Sequence, residues 1–384
     1  MRDILAQIET LIESPPQDPA ERLALYNAAK KLLVAVEDPF ETIHRVNGSP
    51  MILTFSWVAS NLGIFEKLAK SNTPLRGASI AASAKADPEL TSRILRFLAS
   101  HDLIAETAED TFTANPVSHS LARPGFRSGL SHSFNVLNPC LQATPKFLED
   151  TGYANPTDVL HSPFQIAFQT DKPAFGWAVE HPEIMANFQT WMREWHDNTK
   201  ATWLDVFDFA AHAKGSTPET LLFVDVAGGH GQQCALLKMV HPQIPGRFVL
   251  EDLPSVVPHA KVVNGVEKLG FDLWAEQPLK GARIYYIRNI LHDYPDDKAI
   301  AIIKNILPAM SPDSLLIIDD GIIPKVGATA TATHIDMTMM SALAATERTE
   351  RQWDALLDKS GMKIIQKSTF EPSRAQSIIV AVPK

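Results

Sequence analysis

With 384 residues, 45% apolar and 21% charged, the chain is too long for one ordinary core and has the make-up of a soluble globular protein of two or three structural units. A formal net charge of −9, from 35 basic and 44 acidic residues, argues against a nucleic-acid partner, whose phosphates call for a basic footprint. Two widely separated cysteines, Cys140 and Cys234, lack metal-ligand spacing and fit a reducing interior, so a cytoplasmic location is expected. No apolar run is long enough to span a bilayer, and the start, MRDILAQIETLIESPP, is a charged helix pattern without a signal peptide's apolar core.

In chain order, Leu23 to about Lys70 reads as helical. PLRGASIAASAKADPELTSRILRFLASHDLI follows as two helices joined by a turn. Asp87 is placed to cap the second, with Pro88 in its first turn and Ile94, Leu95, Leu98 and Ala99 as its apolar stripe. LIAETAEDTFTANP then gives a short hairpin, which makes the whole a winged helix. A DNA-reading role fits poorly, because the second helix has only Arg93 and Arg96 as basic residues and Asp87 and Glu89 at its start. Packing or dimerisation is the expected use.

The middle, about 125 to 215, is rich in proline and aromatics, and FGWAVEHPEIMANFQTWMREWHD places Phe188, Trp191, Met192 and Trp195 on one helical face. Such a stripe is either core or the wall of an apolar pocket. From about 219 the rhythm becomes strand, helix, strand, helix: TLLFVDV, RFVLED, ARIYYIRN and SLLIID are strands, and DKAIAIIKNIL is the clearest helix, apolar at Ala299, Ile302, Ile303, Ile306 and Leu307. The fold class is therefore α/β, a mostly parallel sheet with helices on both faces. MKIIQKSTF and QSIIVAVPK, with no helix between them, form an antiparallel pair at its edge.

Four features carry chemistry. In LLFVDVAGGHGQQC a strand runs into Gly228, Gly229 and Gly231 where a helix starts, a turn that lets the backbone approach a ligand. The dinucleotide fingerprint fails there, because the third glycine would fall at Cys234, so a nucleoside without a pyrophosphate is the expected ligand. Asp252 ends the next strand, 21 residues after Gly231, where a carboxylate can accept from both ribose hydroxyls. Asp272, followed by Leu273 and Trp274, is either an ordinary turn acid or a partner for an adenine amine. In YYIRNILHDYPDD, His292 stands where a strand stops: a catalytic base, or a satisfied histidine in a turn. Asp319-Asp320 finds no third ligand at recognisable spacing, so no metal site is expected, and His230, His241, His259 and His334 are scattered.

Together VDVAGGHG, LEDLP, FDLW, KGARIYYIRNILHDYPDDKAIAIIKNILPAM and HIDMTMMSALAATERTERQWDALLDKSGM resemble the S-adenosylmethionine-dependent O-methyltransferases of the plant caffeate and flavonoid type and of fungal secondary metabolism. The likeness covers about 50 to 384 in five ordered motifs. It implies a Rossmann-like methyltransferase domain over 216–384, an α-rich winged-helix dimerisation domain over 1–124, and a helical connecting region over 125–215 that contributes to the substrate pocket. A homodimer through the N-terminal domain is implied, with neither membrane nor nucleic acid as partner.

By position, the resemblance implies S-adenosyl-L-methionine as cofactor, with Gly228 and Gly229 at its methionine end, Asp252 on the ribose, Asp272 and Leu273 at the adenine, and Arg288 where the family has a cofactor-contacting lysine. His292 becomes the general base, which a neutral phenol of pKa about 10 needs before it can attack a sulfonium methyl. Asp320, where the family commonly has Glu, and Glu347 become the acids that orient the ring; alone, Glu347 reads equally as a helix N-terminal acid. Met339, Trp191 and His132 are the candidates for facing an aromatic or polyketide-type substrate, and Asp293 is expected to shape the turn. Ala227 replaces a common glycine, which is tolerable if that position needs no positive φ. The implied activity is methyl transfer to a phenolic hydroxyl of a small natural product. Pericyclases of the same family keep every cofactor motif and stand as the alternative.

Overall fold

The computed structural model describes residues 2–197, 201–260 and 262–384. The chain divides into two compact units, Met1–Ala122 and Arg123–Lys384.

In the first unit, α1 (Arg2–Glu13), α2 (Pro19–Val36), α3 (Pro39–Asn61) and α4 (Ile64–Ala69) lead to β1 (Leu75–Arg76), α5 (Gly77–Ala84), α6 (Pro88–Ser100), the hairpin β2 (Ala105–Ala108) and β3 (Thr111–Thr113), and α7 (Pro116–Leu121). The order β1-β3-β2 beside α5 and α6 is the winged helix. Asp87 caps α6 as its sequence predicts, accepting from Leu90 N at 2.8 Å with Pro88 in the first turn. Ile94, Leu95 and Leu98 are its buried stripe.

The second unit begins with α8 (Pro124–His132), α9 (Asn138–Asp150), α10 (Pro163–Phe168), α11 (Ala174–Val179), α12 (Pro182–Asp197) and α13 (Phe209–His212). Then come β4 (Leu221–Val226), α14 (Gln232–Val240), β5 (Arg247–Asp252), β6 (Val266–Gly270), β7 (Ile284–Arg288), α15 (Asp296–Ile306), β8 (Leu315–Ile323), α16 (Ala330–Leu343), β9 (Arg348–Thr349), α17 (Glu350–Lys359), β10 (Met362–Glu371) and β11 (Gln376–Pro383). The sheet runs β10-β11-β8-β7-β4-β5-β6, with short β9 beside β8. Pairing is parallel from β8 through β7, β4 and β5 to β6, and antiparallel at β11 and β10. This is the Rossmann-like architecture with its antiparallel edge.

The strands alternate with period two, so successive side chains feed opposite cores. Val224, Val226, Tyr285, Ile287, Leu316 and Ile318 pack with Ala299, Ile302, Ile303 and Ile306 of α15 and Trp353, Leu356 and Leu357 of α17. Phe223, Phe248, Ile284, Tyr286 and Ile317 pack on the other side with Trp203, Phe209 and, from α14, Cys234 and Leu237. Because β8, β7, β4, β5 and β6 run parallel, their carboxyl ends share one edge of the sheet.

Two expectations need correction. β6 was not visible as a strand, because only Val266 and Leu269 of its five residues are sheltered from solvent and it carries Glu267 and Lys268; edge strands are charged for this reason. Met192 is not part of a buried stripe on α12, being 37% exposed, while Trp191 turns inward onto Gly129.

Candidate active site

The first half of the site is the turn after β4. Ala227, Gly229 and Gly231 all have positive φ, at 56°, 59° and 80°. Ala227 thus occupies the left-handed region despite its side chain, so the condition under which alanine would be cost-free there is not met, and it carries a cost on the order of 1–2 kcal/mol. Gly228 is required for space, because a Cβ there would lie 2.4 Å from Asp225 Cγ. Gly229 faces open room, with nothing within 4 Å of where its Cβ would be. Its N–H donates to Asp252 Oδ2 at 2.7 Å, and Leu253 N–H donates to Oδ1 at 2.7 Å. Each oxygen keeps a further lone pair for a hydroxyl. Burial raises the Asp252 pKa, and these two N–H groups work against that rise. Beneath the turn, Asp225 is buried and pushed up to about 7 by burial and then by Asp252.

Arg288 ends β7. Its Nε lies 3.5 Å from Asp319 Oδ2, and Asp319 also accepts from Tyr286 Oη and, at 2.6 Å, from Gln376 Nε2. Burial works against the Arg288 charge, but Asp319 and Tyr286 outweigh it and raise the pKa. Asp272 and Leu273 follow β6: Asp272 is exposed and accepts from Trp274 N at 3.1 Å, and Leu273 packs on the core.

The second half is built around His292, in the 3₁₀ turn Leu291–Asp293 after β7. Its side chain is 14% exposed, and its Nδ1 hydrogen-bonds Glu347 Oε1, so the ring's orientation is fixed by that carboxylate. Asp293 Oδ1 lies 3.5 Å from Nε2, so Asp293 does more than shape the turn. Asp320, within β8, is fully buried with no hydrogen-bond partner on either oxygen. Burial alone would depress the ring's pKa, but Glu347, Asp293 and Asp320 together hold it at about 10. Burial lifts the two aspartates as well, Asp293 to about 6 and Asp320 to about 7.

Glu347 is not a helix N-terminal acid. Thr349 caps α17 and Glu350 occupies its first turn, while the Glu347 N–H is tied to Asp336 Oδ1 at 2.9 Å. Two residues that sequence reasoning missed fix this geometry. Arg348 is wholly buried and clamps the His292 turn: Nη1 donates to Leu291 O at 2.8 Å, Nη2 to Tyr294 O at 2.7 Å, and Nε to Asp296 Oδ1 at 2.9 Å. Gly321 makes room for the carboxylate, since a Cβ there would stand 2.3 Å from Glu347 Oε2. The strand–turn sequences give no hint of either, apart from an arginine beside a candidate catalytic acid.

The remaining candidates belong to the helical layer. His132 closes α8, its Nδ1 buried without a hydrogen-bond partner and its ring 5.3 Å from Phe188, and burial pulls its pKa down to about 4. Trp191 of α12 lies against Gly129, where a Cβ would come within 2.6 Å of its ring. Met339 is half-buried on α16. The structure therefore brings Gly228, Gly229 and Asp252 together in one group and His292, Glu347, Asp293 and Asp320 in another. Among the described residues no cluster of His, Cys, Asp and Glu could hold a metal ion.

A sheet whose carboxyl edge joins a glycine turn to an acid-flanked histidine is the arrangement of an enzyme acting on small molecules. The O-methyltransferase domain matches residues 154–363 and the O-methyltransferase dimerisation domain residues 49–124. The protein belongs to the O-methyltransferase family. It is 34% identical over 369 residues to the O-methyltransferase lepI of Aspergillus flavus, covering 94% of this chain and 95% of that one. It is 32% identical to the demethylsterigmatocystin 6-O-methyltransferase of the same organism, over 100% of this chain and 98% of that one. The solved structure of LepI in complex with SAM superposes with a TM-score of 0.93 at 32% identity, and that of a pericyclic reaction enzyme with 0.94 at 32%, each covering 100% of both chains.

Proposed function

We propose that this protein transfers the methyl group of S-adenosylmethionine to a phenolic hydroxyl of a small aromatic or polyketide-type natural product, with His292 as general base. The observation that carries the reading is a buried imidazole, oriented by Glu347, at the same sheet edge as the glycine turn and Asp252. Bound at that turn, adenosylmethionine supplies a methyl group on a positively charged sulfur. Gly228 and Gly229 border its methionine end, Asp252 takes the ribose hydroxyls, Asp272 and Leu273 hold the adenine, and Arg288 completes the cradle. The SAM-bound LepI structure supports this cofactor.

Glu347 fixes the tautomer so that Nε2 is the nitrogen left for the acceptor, and Nε2 takes the hydroxyl proton. Asp320 supplies negative charge behind the ring without a hydrogen bond, in keeping with its shorter reach. A ring held at about 10 matches a phenol of pKa about 10, so the proton moves between sites of similar affinity. That basicity has a consequence: at neutral pH most rings already carry a proton, so turnover rises with pH. His132, Trp191 and Met339 line the acceptor's side of the pocket. Residues 1–124 form the dimerisation module of a homodimer, 125–215 shape the substrate pocket and 216–384 hold the cofactor; the enzyme works in the cytoplasm on a small molecule, with neither membrane nor nucleic acid as partner.

A second reading is favoured by the same proton. A resting imidazolium can donate a hydrogen bond to a substrate carbonyl, and a pericyclic reaction needs polarisation without methyl transfer. Incubating the protein with labelled cofactor and a panel of phenols and pathway intermediates separates the two. Methyl transfer yields labelled product and S-adenosylhomocysteine in equal amounts; a product of unchanged mass with no cofactor consumed establishes the pericyclic activity instead.

A further inference from the structure

The carboxyl end of α12 meets the cofactor side of the sheet through one ring. His196 Nε2 lies 2.7 Å from Gln233 Nε2 and 3.0 Å from Arg288 Nη1. A guanidinium nitrogen only donates. The Gln233 amide is oriented by its other end, because Oε1 accepts from Trp203 Nε1 at 2.9 Å and an indole N–H is only a donor. Both neighbours therefore point hydrogens at Nε2, which must present its lone pair. The ring is neutral with its proton on Nδ1, and burial, Arg288 and Arg374 all disfavour a second proton.

The two donors come from different cofactor-side elements. Gln233 is in the first turn of α14, directly after the glycine turn, and Arg288 ends β7. A third tie comes from beside β11: Arg374 Nη1 donates to Trp195 O at 3.2 Å, and its Cζ lies 4.2 Å over the Trp195 ring. On the same helix sits Trp191, seated on Gly129.

We propose that His196 is a positioning residue that couples the cofactor cradle to α12, so that a nucleoside held at the glycine turn and Arg288 fixes the helix that walls the acceptor side. This rests on the assignment of Arg288 and Trp191 under the proposed function. A ligand shifts a helix only if it interacts differently with its two arrangements. The His196 junction supplies that difference, because fixing the Arg288 and Gln233 donors fixes the one acceptor they share.

Hydrogen exchange of the full-length protein, with and without saturating S-adenosylhomocysteine, tests this. In the unsubstituted protein the ligand should slow exchange across 182–197 by about tenfold and should also protect the glycine-turn peptide. His196→Leu should abolish the slowing of α12 while the glycine turn stays protected; His196→Gln, which again offers an acceptor oxygen, should restore most of it. Gln233→Met removes one of the two donors and should halve the effect, an independent check if the leucine variant does not fold. Equal slowing of α12 in all variants overturns the coupling. So does an α12 that ignores the ligand while the glycine turn responds. A glycine turn that does not respond in the unsubstituted protein overturns the cofactor reading itself.

Discussion

The cofactor end and the acceptor end of the site are built by opposite strategies. The glycine turn is held by backbone donors: the N–H groups of Gly229 and Leu253 on the single carboxylate of Asp252, and the N–H of Gly228 on Glu251 O at 3.0 Å. The His292 cluster is held by side chains that come from four separate stretches, 292–293, 320, 336 and 347–348. Apart from the space Gly228 must leave and the one carboxylate of Asp252, the turn depends on its φ values and not on side chains, whereas a side-chain cluster fails when any member is lost. The acceptor end should therefore be the more fragile of the two.

The largest effect that would break this contrast is on chemistry. His292→Ala should lower methyl transfer by about 10²–10⁴-fold, the usual span for a general base, with S-adenosylhomocysteine affinity by calorimetry nearly unchanged. Next, Arg348→Met should cost about 2–4 kcal/mol in denaturant unfolding, because Tyr294 O loses its charged donor, Leu291 O keeps only the long bond from Tyr294 N at 3.4 Å, and half-exposed Asp296 loses its cation. Asp252→Ala should weaken cofactor binding by about 1–3 kcal/mol without a comparable loss of fold. A smaller effect sharpens the electrostatics. His292 is raised by its acids, so a ¹³C-histidine titration of the cofactor-free protein should find it protonated through pH 8, and Glu347→Gln should move that titration downward. The rate of methyl transfer should climb with pH in the parent and reach its plateau earlier in the variant. Least of all, Ala227→Gly should change stability by under about 1 kcal/mol, because relieved backbone strain is offset by the added freedom of the unfolded chain.

The same contrast explains what could be read from the sequence. Glycines, strand ends and a carboxylate at a fixed spacing are local signals, so the turn, Asp252 and most of the strands were visible in the chain itself. His292 was visible because a strand stops there. Its surroundings were not. Arg348 looks like a surface residue in ATERTERQW, and only tertiary packing reveals that its guanidinium is buried beneath the His292 turn. Asp293 was read as a turn former because adjacency in sequence says nothing about which ring nitrogen a side chain reaches. Ala227 fails the condition the sequence sets for it: alanine disfavours a left-handed backbone, and its φ is 56° all the same. Strand β6 was hidden because an edge strand needs no continuous apolar face.

Gly321 carries a last implication. The carboxylate of Glu347 rests where a Cβ on residue 321 would be, 2.3 Å from Oε2. One methyl group on β8 would thus evict the acid from its berth and leave the imidazole unsteadied, while the glycine turn, several strands away in sequence, would keep its shape. A chain altered only there would be a decoy of itself, able to receive the nucleoside and unable to use it.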